Sequence, residues 1–102
     1  MTDQRISPQE CRTMTEVRHG VDEVDRQIIA LLGERFRYME AAARIKPSRE
    51  MVRDEARKAD VLEKVRRSAE GAGVDVRLAE GLYETLVEAS IDFELRRFDA
   101  IN

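Results

Sequence analysis

A long stretch near the start of the chain carries apolar residues at steps of three and four, which is the spacing of an amphipathic helix. We expect this helix to run from about Thr15 to between Arg44 and Lys46, because Pro47 disfavours helical geometry at the residue before it. A short polar connection over residues 47–53 follows. The spacing is carried by Val17, Val21, Val24, Ile28, Leu31, Leu32, Phe36, Met39, Ala42 and Ala43.

Two further helices show the same helical spacing. The first of them is short, from about Asp54 to Ala69, and ends at Gly71 and Gly73, since glycine tolerates the left-handed cap conformation. Asp75 is the expected N-cap of another helix that continues nearly to the C-terminus. There is no strand pattern, internal repeat or low-complexity tract. The pattern therefore predicts an all-α fold of three helices that are long, short and long.

The first helix is too long for a compact monomer of this chain length. A helix of about 30 residues is about 45 Å long, whereas a compact globule of 102 residues has a diameter of roughly 33 Å. We therefore expect a homodimer, a folded helical bundle in which the first helices pair along their length. A polar N-terminal arm over residues 1–12 precedes the helical domain, which we place at residues 13–102.

Composition excludes several classes of protein. One cysteine cannot form an internal disulfide, and no apolar run approaches the roughly 18 residues of a membrane span. A net charge of -3 with both signs interleaved disfavours nucleic-acid binding. The single histidine, His19, has no cysteine or second histidine at ligand spacing, so we expect no metal site and no cofactor. The polar N-terminus has no signal-peptide core, which makes the cytoplasm the expected compartment.

A few charged residues lie where the helical pattern requires apolar ones. Arg35 occupies the apolar stripe of the first helix, and Lys46, eleven residues later, points the same way. On the third helix Ser90 and Glu94 are one turn apart and continue an apolar stripe. Buried charges are costly unless they are paired or bind a ligand. These residues are therefore candidates for an internal site.

Each of these charges also has a purely structural explanation. A long arginine near the edge of a stripe often reaches water with its charged end, and Arg35 and Glu94 could form a plain ion pair. The excess of positive charge, to which Arg57 on the second helix adds, favours a small anionic ligand such as a carboxylate held by arginine. Arg18 points about 100° away from Arg35, so it could reach such a site only in a partner chain.

The segment VRHGVDEVDRQIIALLGERFRYMEAAARIK resembles the opening helix of the all-helical chorismate mutases. The resemblance continues through VRDEARKADVLEKV and EGLYETLVEASIDFE, and covers roughly residues 15–98. It implies an intertwined homodimer whose two active sites each receive an arginine from the other chain. It also implies the reaction, the cofactor-free rearrangement of chorismate, a small dicarboxylate, to prephenate in aromatic amino-acid biosynthesis (the shikimate pathway).

The same resemblance implies roles for individual residues. Arg18 matches the arginine donated across the dimer, and Arg35 matches the arginine that binds a substrate carboxylate. Lys46 and Glu94 match the two groups that contact the ether oxygen of the substrate, so the implied catalytic residues are Lys46, Glu94 and Arg35. The other implied substrate-binding residues are Asp54, Arg57 and Ser90.

Two positions depart from the mutase pattern. Many members carry glutamine in place of Glu94, and glutamate donates a hydrogen bond only when it is protonated. Lys58 stands where these mutases have a glutamate that recognises the ring hydroxyl, which puts recognition of that hydroxyl in question.

The second departure leaves another activity open. The related isochorismate pyruvate lyases, which convert isochorismate to salicylate and pyruvate, also lack that glutamate, and the segment SPQECRTMTEVR resembles theirs. Ser90 and Arg57 are mutase-like, so we expect a chorismate mutase. The alternatives are the lyase, alone or as a second activity, and, more remotely, a non-enzymatic helical dimer.

Overall fold

The regular structure of the chain, in a computed structural model that describes residues 4–102, is helical throughout. Its three α-helices are long, short and long, which confirms the predicted all-α fold. No helix in this part of the chain is long and apolar enough to cross a membrane. The elements are a 3-10 turn at Pro8–Glu10, α1 at Met14–Ile45, a second 3-10 turn at Arg49–Met51, α2 at Glu55–Ala72 and α3 at Val76–Ile101.

The chain divides into two units, and the first ends at Arg37. It contains the N-terminal segment and most of α1. Residues 5–11 lie along the first turns of α1 and enclose with them a groove of about 410 Å³. The apolar side chains that line this groove are Ile6, Pro8, Val17, Val21 and Val24. The predicted boundary between an arm and a helical domain after residue 12 stays a prediction.

The apolar stripe of α1 is largely exposed in this first unit. Val21, Ile28 and Leu31 retain 52%, 48% and 64% of their accessible surface. The helix has 32 residues, which corresponds to a length of about 48 Å. A continuous apolar surface of this kind is typical of an interaction face.

The second unit comprises residues 38–102 and has a small apolar core. α3 supplies most of this core, from residues at the helical spacing of one face. Val52 also belongs to it, with 4% of its surface exposed, although the sequence analysis assigned it to a polar connection. The members of this core cluster are Ala43, Val52, Val87, Ile91 and Phe98.

Capping interactions fix the start of the two shorter helices. The Asp75 carboxylate accepts a hydrogen bond from the Leu78 backbone N–H at 3.0 Å, so the predicted N-cap of α3 is confirmed. The Asp54 carboxylate caps α2 in the same way by accepting from the Arg57 backbone N–H at 2.9 Å. α1 begins at Met14, one residue before the predicted start at Thr15.

Only one of the two glycines at the end of α2 terminates the helix. Gly73 adopts a left-handed conformation with φ 71°, and its N–H donates to the Glu70 carbonyl at 3.3 Å. The Val74 N–H donates to the Ala69 carbonyl at 2.8 Å, which completes a Schellman-type end. Gly71 lies within the helix, so the prediction that it ends α2 is wrong.

These two glycines should respond to alanine with opposite signs. Gly73→Ala places a Cβ in a left-handed conformation and should lower the free energy of unfolding by about 1 kcal/mol. Gly71→Ala meets no atom within 4 Å and replaces a helical glycine, so it should raise that free energy by up to about 1 kcal/mol. Urea denaturation of both variants measures the difference. Equal effects of the two substitutions would contradict the observed end of α2.

Candidate functional site

A buried ion pair joins the C-terminal end of α1 to α3. Lys46 Nζ lies 2.7 Å from Glu94 Oε2, and the two side chains are 28% and 5% exposed. Glu94 lies on the buried face of α3 between Ile91 and Phe98. A carboxylate in such a place requires a positive partner, and Lys46 is that partner.

The end of α1 places Lys46 opposite this carboxylate. The Lys46 backbone N–H donates to the Ala42 carbonyl at 2.9 Å, which continues the hydrogen bonding of the helix by one residue. Ala43, three residues earlier on the same side, is 1% exposed and packs in the core. Pro47 then prevents the helix from continuing. The lysine stem therefore starts from a fixed position.

The ion pair leaves hydrogen-bonding capacity on both partners. Glu94 Oε2 is within ion-pair distance of Lys46, but the geometry is not that of a hydrogen bond, and this buried oxygen has no hydrogen-bond partner among residues 4–102. The Lys46 ammonium has three donors, and one of them faces the Val52 carbonyl oxygen at 3.5 Å. The ammonium, on a side chain that is 28% exposed, therefore has donor capacity for a small polar ligand.

Ser90 lies one turn before Glu94 on the same buried face of α3. It is 4% exposed, and its hydroxyl donates to the Leu86 carbonyl of its own helix at 2.6 Å. The burial of Ser90 and Glu94 agrees with the helical pattern of the sequence. Their roles in substrate binding stay predictions.

The two predicted site residues at the start of α2 have other partners in this structure. Asp54 is the N-cap of that helix. The Arg57 guanidinium donates to the Asp60 carboxylate at 2.6 Å, and its side chain is 61% exposed. The structure thus gives Asp54 a capping role and Arg57 an ion pair within α2, while their contacts to substrate stay predictions.

The other two predicted arginines lie on α1 in the first unit. Arg18 is exposed and forms no ion pair within residues 4–102. Arg35 is half-buried. Their predicted roles as carboxylate-binding residues stay predictions. Lys46 is the ion-pair partner observed for Glu94.

A second ionic cluster links the start of α2 to α3, and the sequence analysis did not identify it. Glu88 accepts from Arg53 at 2.6 and 3.1 Å and from Lys58 at 2.8 Å. Lys58 also donates to Glu84 at 2.6 Å, and its side chain is 17% exposed. The hydrogen bonds from Arg53, and then from Lys58, lower the pKa of Glu88 to about 2. The available signal was the spacing of four between Glu80, Glu84 and Glu88 on α3.

The fold and these contacts define an all-helical protein with a buried lysine–glutamate pair. The sequence model of the chorismate mutase type II family matches residues 17–95, and the chain belongs to this family of enzymes. An isochorismate pyruvate lyase from Pseudomonas aeruginosa is 32% identical to it over 81 residues, which cover 79% of this chain and 80% of that protein. The family match includes Lys46 and Glu94.

The low pKa of Glu88 predicts how stability depends on pH. Since this pKa lies near 2 in the fold against 4.5 for an ordinary glutamate, the ion pairs stabilise the fold at neutral pH and lose this effect as the pH falls from about 4.5 to about 2. Glu88→Gln should therefore lower the free energy of unfolding at pH 7, and the difference from wild type should shrink by pH 3. Urea denaturation measures it, with the exposed Glu70→Gln as control. A difference that is unchanged at pH 3 would contradict this assignment.

Proposed function

We propose that this chain is a chorismate mutase, which rearranges chorismate to prephenate. The observation that supports it most is the buried pair of Lys46, directly after α1, and Glu94 on α3, at 2.7 Å, within a chain of the chorismate mutase type II family. The positive charge of this pair is the Lys46 ammonium, and the Lys46 side chain is 28% exposed. It therefore offers a binding place for an oxygen atom that becomes negative during a reaction.

The proposed reaction needs little from the protein besides orientation and charge. The ether carbon–oxygen bond of chorismate breaks while a carbon–carbon bond forms in the same molecule, so all atoms are retained and no proton is transferred. Negative charge grows on the ether oxygen as its bond breaks. A fixed ammonium such as Lys46 stabilises that charge, because a donor that is already in place needs no reorganisation during the reaction. Glu94 keeps this ammonium in place.

The two carboxylates of the substrate need positive partners of their own. In this proposal Arg35 and Arg57 bind them, since a guanidinium can hold a carboxylate through two parallel hydrogen bonds. Arg57 would exchange its ion pair with Asp60 for the substrate. Holding both carboxylates folds the enolpyruvyl arm over the ring, and this restriction lowers the barrier by proximity.

A homodimer completes the proposed site. The exposed apolar stripe of α1, with Val21 and Leu31 at 52% and 64% exposure, supports pairing with a second copy. Arg18 lies on the same helix and is exposed. In the proposed dimer it binds a carboxylate of the substrate in the partner's site.

Isochorismate pyruvate lyase is the second candidate function. It is supported by the relative that is 32% identical and by Lys58, which stands at the position of the hydroxyl-binding glutamate of the mutases. Lys58 is held by Glu84 and Glu88 at 2.6 and 2.8 Å. A lysine with two carboxylate partners presents a different polar surface to a ring hydroxyl than a glutamate does.

Assays with chorismate and with isochorismate distinguish these functions. We expect prephenate from chorismate, and the turnover number should fall about a hundredfold or more in the double variant Lys46→Met/Glu94→Gln. This double variant is the appropriate test because Lys46→Met alone would leave Glu94 buried without its positive partner. Lys64→Met, which changes an exposed lysine of α2, should leave turnover unchanged.

Three other results would contradict the proposed activity or the proposed site. Salicylate and pyruvate from isochorismate, without prephenate from chorismate, would identify the lyase. Full activity in the folded double variant would exclude Lys46 and Glu94 from the site. No turnover of either substrate, together with no rise in the melting temperature on adding a dicarboxylate analogue, would indicate a non-enzymatic dimer, since a ligand that binds only the folded state must stabilise it.

A further inference from the structure

The segment that connects α1 to α2, residues 46–54, is attached to α3 at three levels. An ion pair forms at each level, near the start, the middle and the end of the segment. These attachments restrict the segment that includes Lys46. The three pairs are Lys46 with Glu94 at 2.7 Å, Arg49 with Asp99 at 2.9 Å and Arg53 with Glu88 at 2.6 Å.

The attachment at Glu88 is the most elaborate of the three. Arg53 donates to both oxygens of Glu88, at 2.6 and 3.1 Å. Lys58, with a side chain only 17% exposed, donates to the same carboxylate at 2.8 Å. Arg49 also donates to both oxygens of Asp99, at 2.9 and 3.3 Å, but this pair has no third partner and its side chains are 55% and 51% exposed. Charge networks hold geometry better than isolated exposed pairs.

Val52 connects this attachment to the buried pair. Its side chain is 4% exposed and packs in the core, and it directly precedes Arg53. Its carbonyl oxygen lies 3.5 Å from Lys46 Nζ. The position of the Arg53 backbone therefore determines where this carbonyl oxygen lies relative to the ammonium.

We propose that Glu88 is a positioning residue for the reaction at Lys46. By holding Arg53, Glu88 fixes the Val52 carbonyl, and this carbonyl and the Glu94 carboxylate together orient the Lys46 ammonium. The remaining donor of the ammonium is then directed at the substrate. The inference rests on the proposed function, because it assigns Lys46 to the reacting oxygen.

The physical need for such an arrangement follows from the chemistry of lysine. An ammonium on a flexible four-carbon stem has many rotamers, and two acceptors at different places restrict it far more than one does. Glu88 and Glu94 lie on the same helix, six residues and about 9 Å apart along its axis. This helix thus carries Glu94 itself and also Glu88, which acts on the Val52 carbonyl through Arg53. A misplacement of about 1 Å can cost a hundredfold in rate.

Steady-state kinetics of Glu88→Gln test this inference. We expect the kcat for the physiological substrate, whichever of the two the wild type turns over, to fall about tenfold with KM changed less than about twofold. Glu80→Gln is the matched control, because Glu80 also joins α3 to α2, through Arg66 at 3.5 Å, but has no contact with the connecting segment. Its kcat should equal that of the wild type. Circular dichroism at the assay temperature shows that each variant is folded.

A double-mutant cycle with Arg53→Met separates positioning from general stability. If Glu88 acts through Arg53, the double variant should have the same kcat as either single variant, because both remove one interaction. Arg53→Lys, which retains the charge, should have a kcat between those of Arg53→Met and the wild type.

The possible results are distinct. A folded Glu88→Gln with wild-type kcat would overturn the positioning role and leave the proposed function intact. The same would follow from an equal loss of kcat in Glu80→Gln, or from additive losses in the cycle. Absence of wild-type turnover with either substrate would overturn the proposed function and this inference together.

Discussion

The second unit is organised around one buried carboxylate. Glu94 is 4% exposed on the apolar face of α3, and an uncompensated charge at such a place would destabilise the fold by several kcal/mol. Lys46 must therefore lie opposite it, and this requirement fixes the end of α1 and the path of the connecting segment. Val52 enters the core and Arg53 meets Glu88 as parts of that path. In the proposed enzyme, the residues that stabilise the unit also hold the ammonium that meets the substrate.

The long first helix adds a second constraint, which a single chain leaves unresolved. Its stripe of valine, isoleucine and leucine residues remains exposed, and burial of such surface stabilises an assembly by about 25 cal/mol per Å². Pairing of two copies would cover the stripe and bring the exposed Arg18 of one copy to the site of the other. In the proposed enzyme, assembly and catalysis thus depend on the same helix.

The sequence predicted some of these features well and others poorly, for physical reasons. Periodicity over 32 residues fixes α1 closely, and an aspartate before a helix identifies the cap at Asp75. The sequence pattern did not distinguish Gly71, which lies within α2, from Gly73, which ends it, since a glycine inside a helix costs only about 1 kcal/mol. Val52 lies in a short, mostly polar segment, so no hydrophobic periodicity indicates that it is buried. The pattern indicated that Glu94 is buried, but a partner that is distant in sequence, such as Lys46, depends on tertiary packing.

In the proposed enzyme, each active site combines Lys46 of one chain with Arg18 of another. Mixing Arg18→Ala with the double variant Lys46→Met/Glu94→Gln, after unfolding and joint refolding, tests this most directly. Each variant alone should be almost inactive. The mixture should regain about a quarter of the wild-type activity, because half of the randomly formed dimers are mixed and each mixed dimer has one intact site of two. A mixture that remains as inactive as its components would contradict the claim.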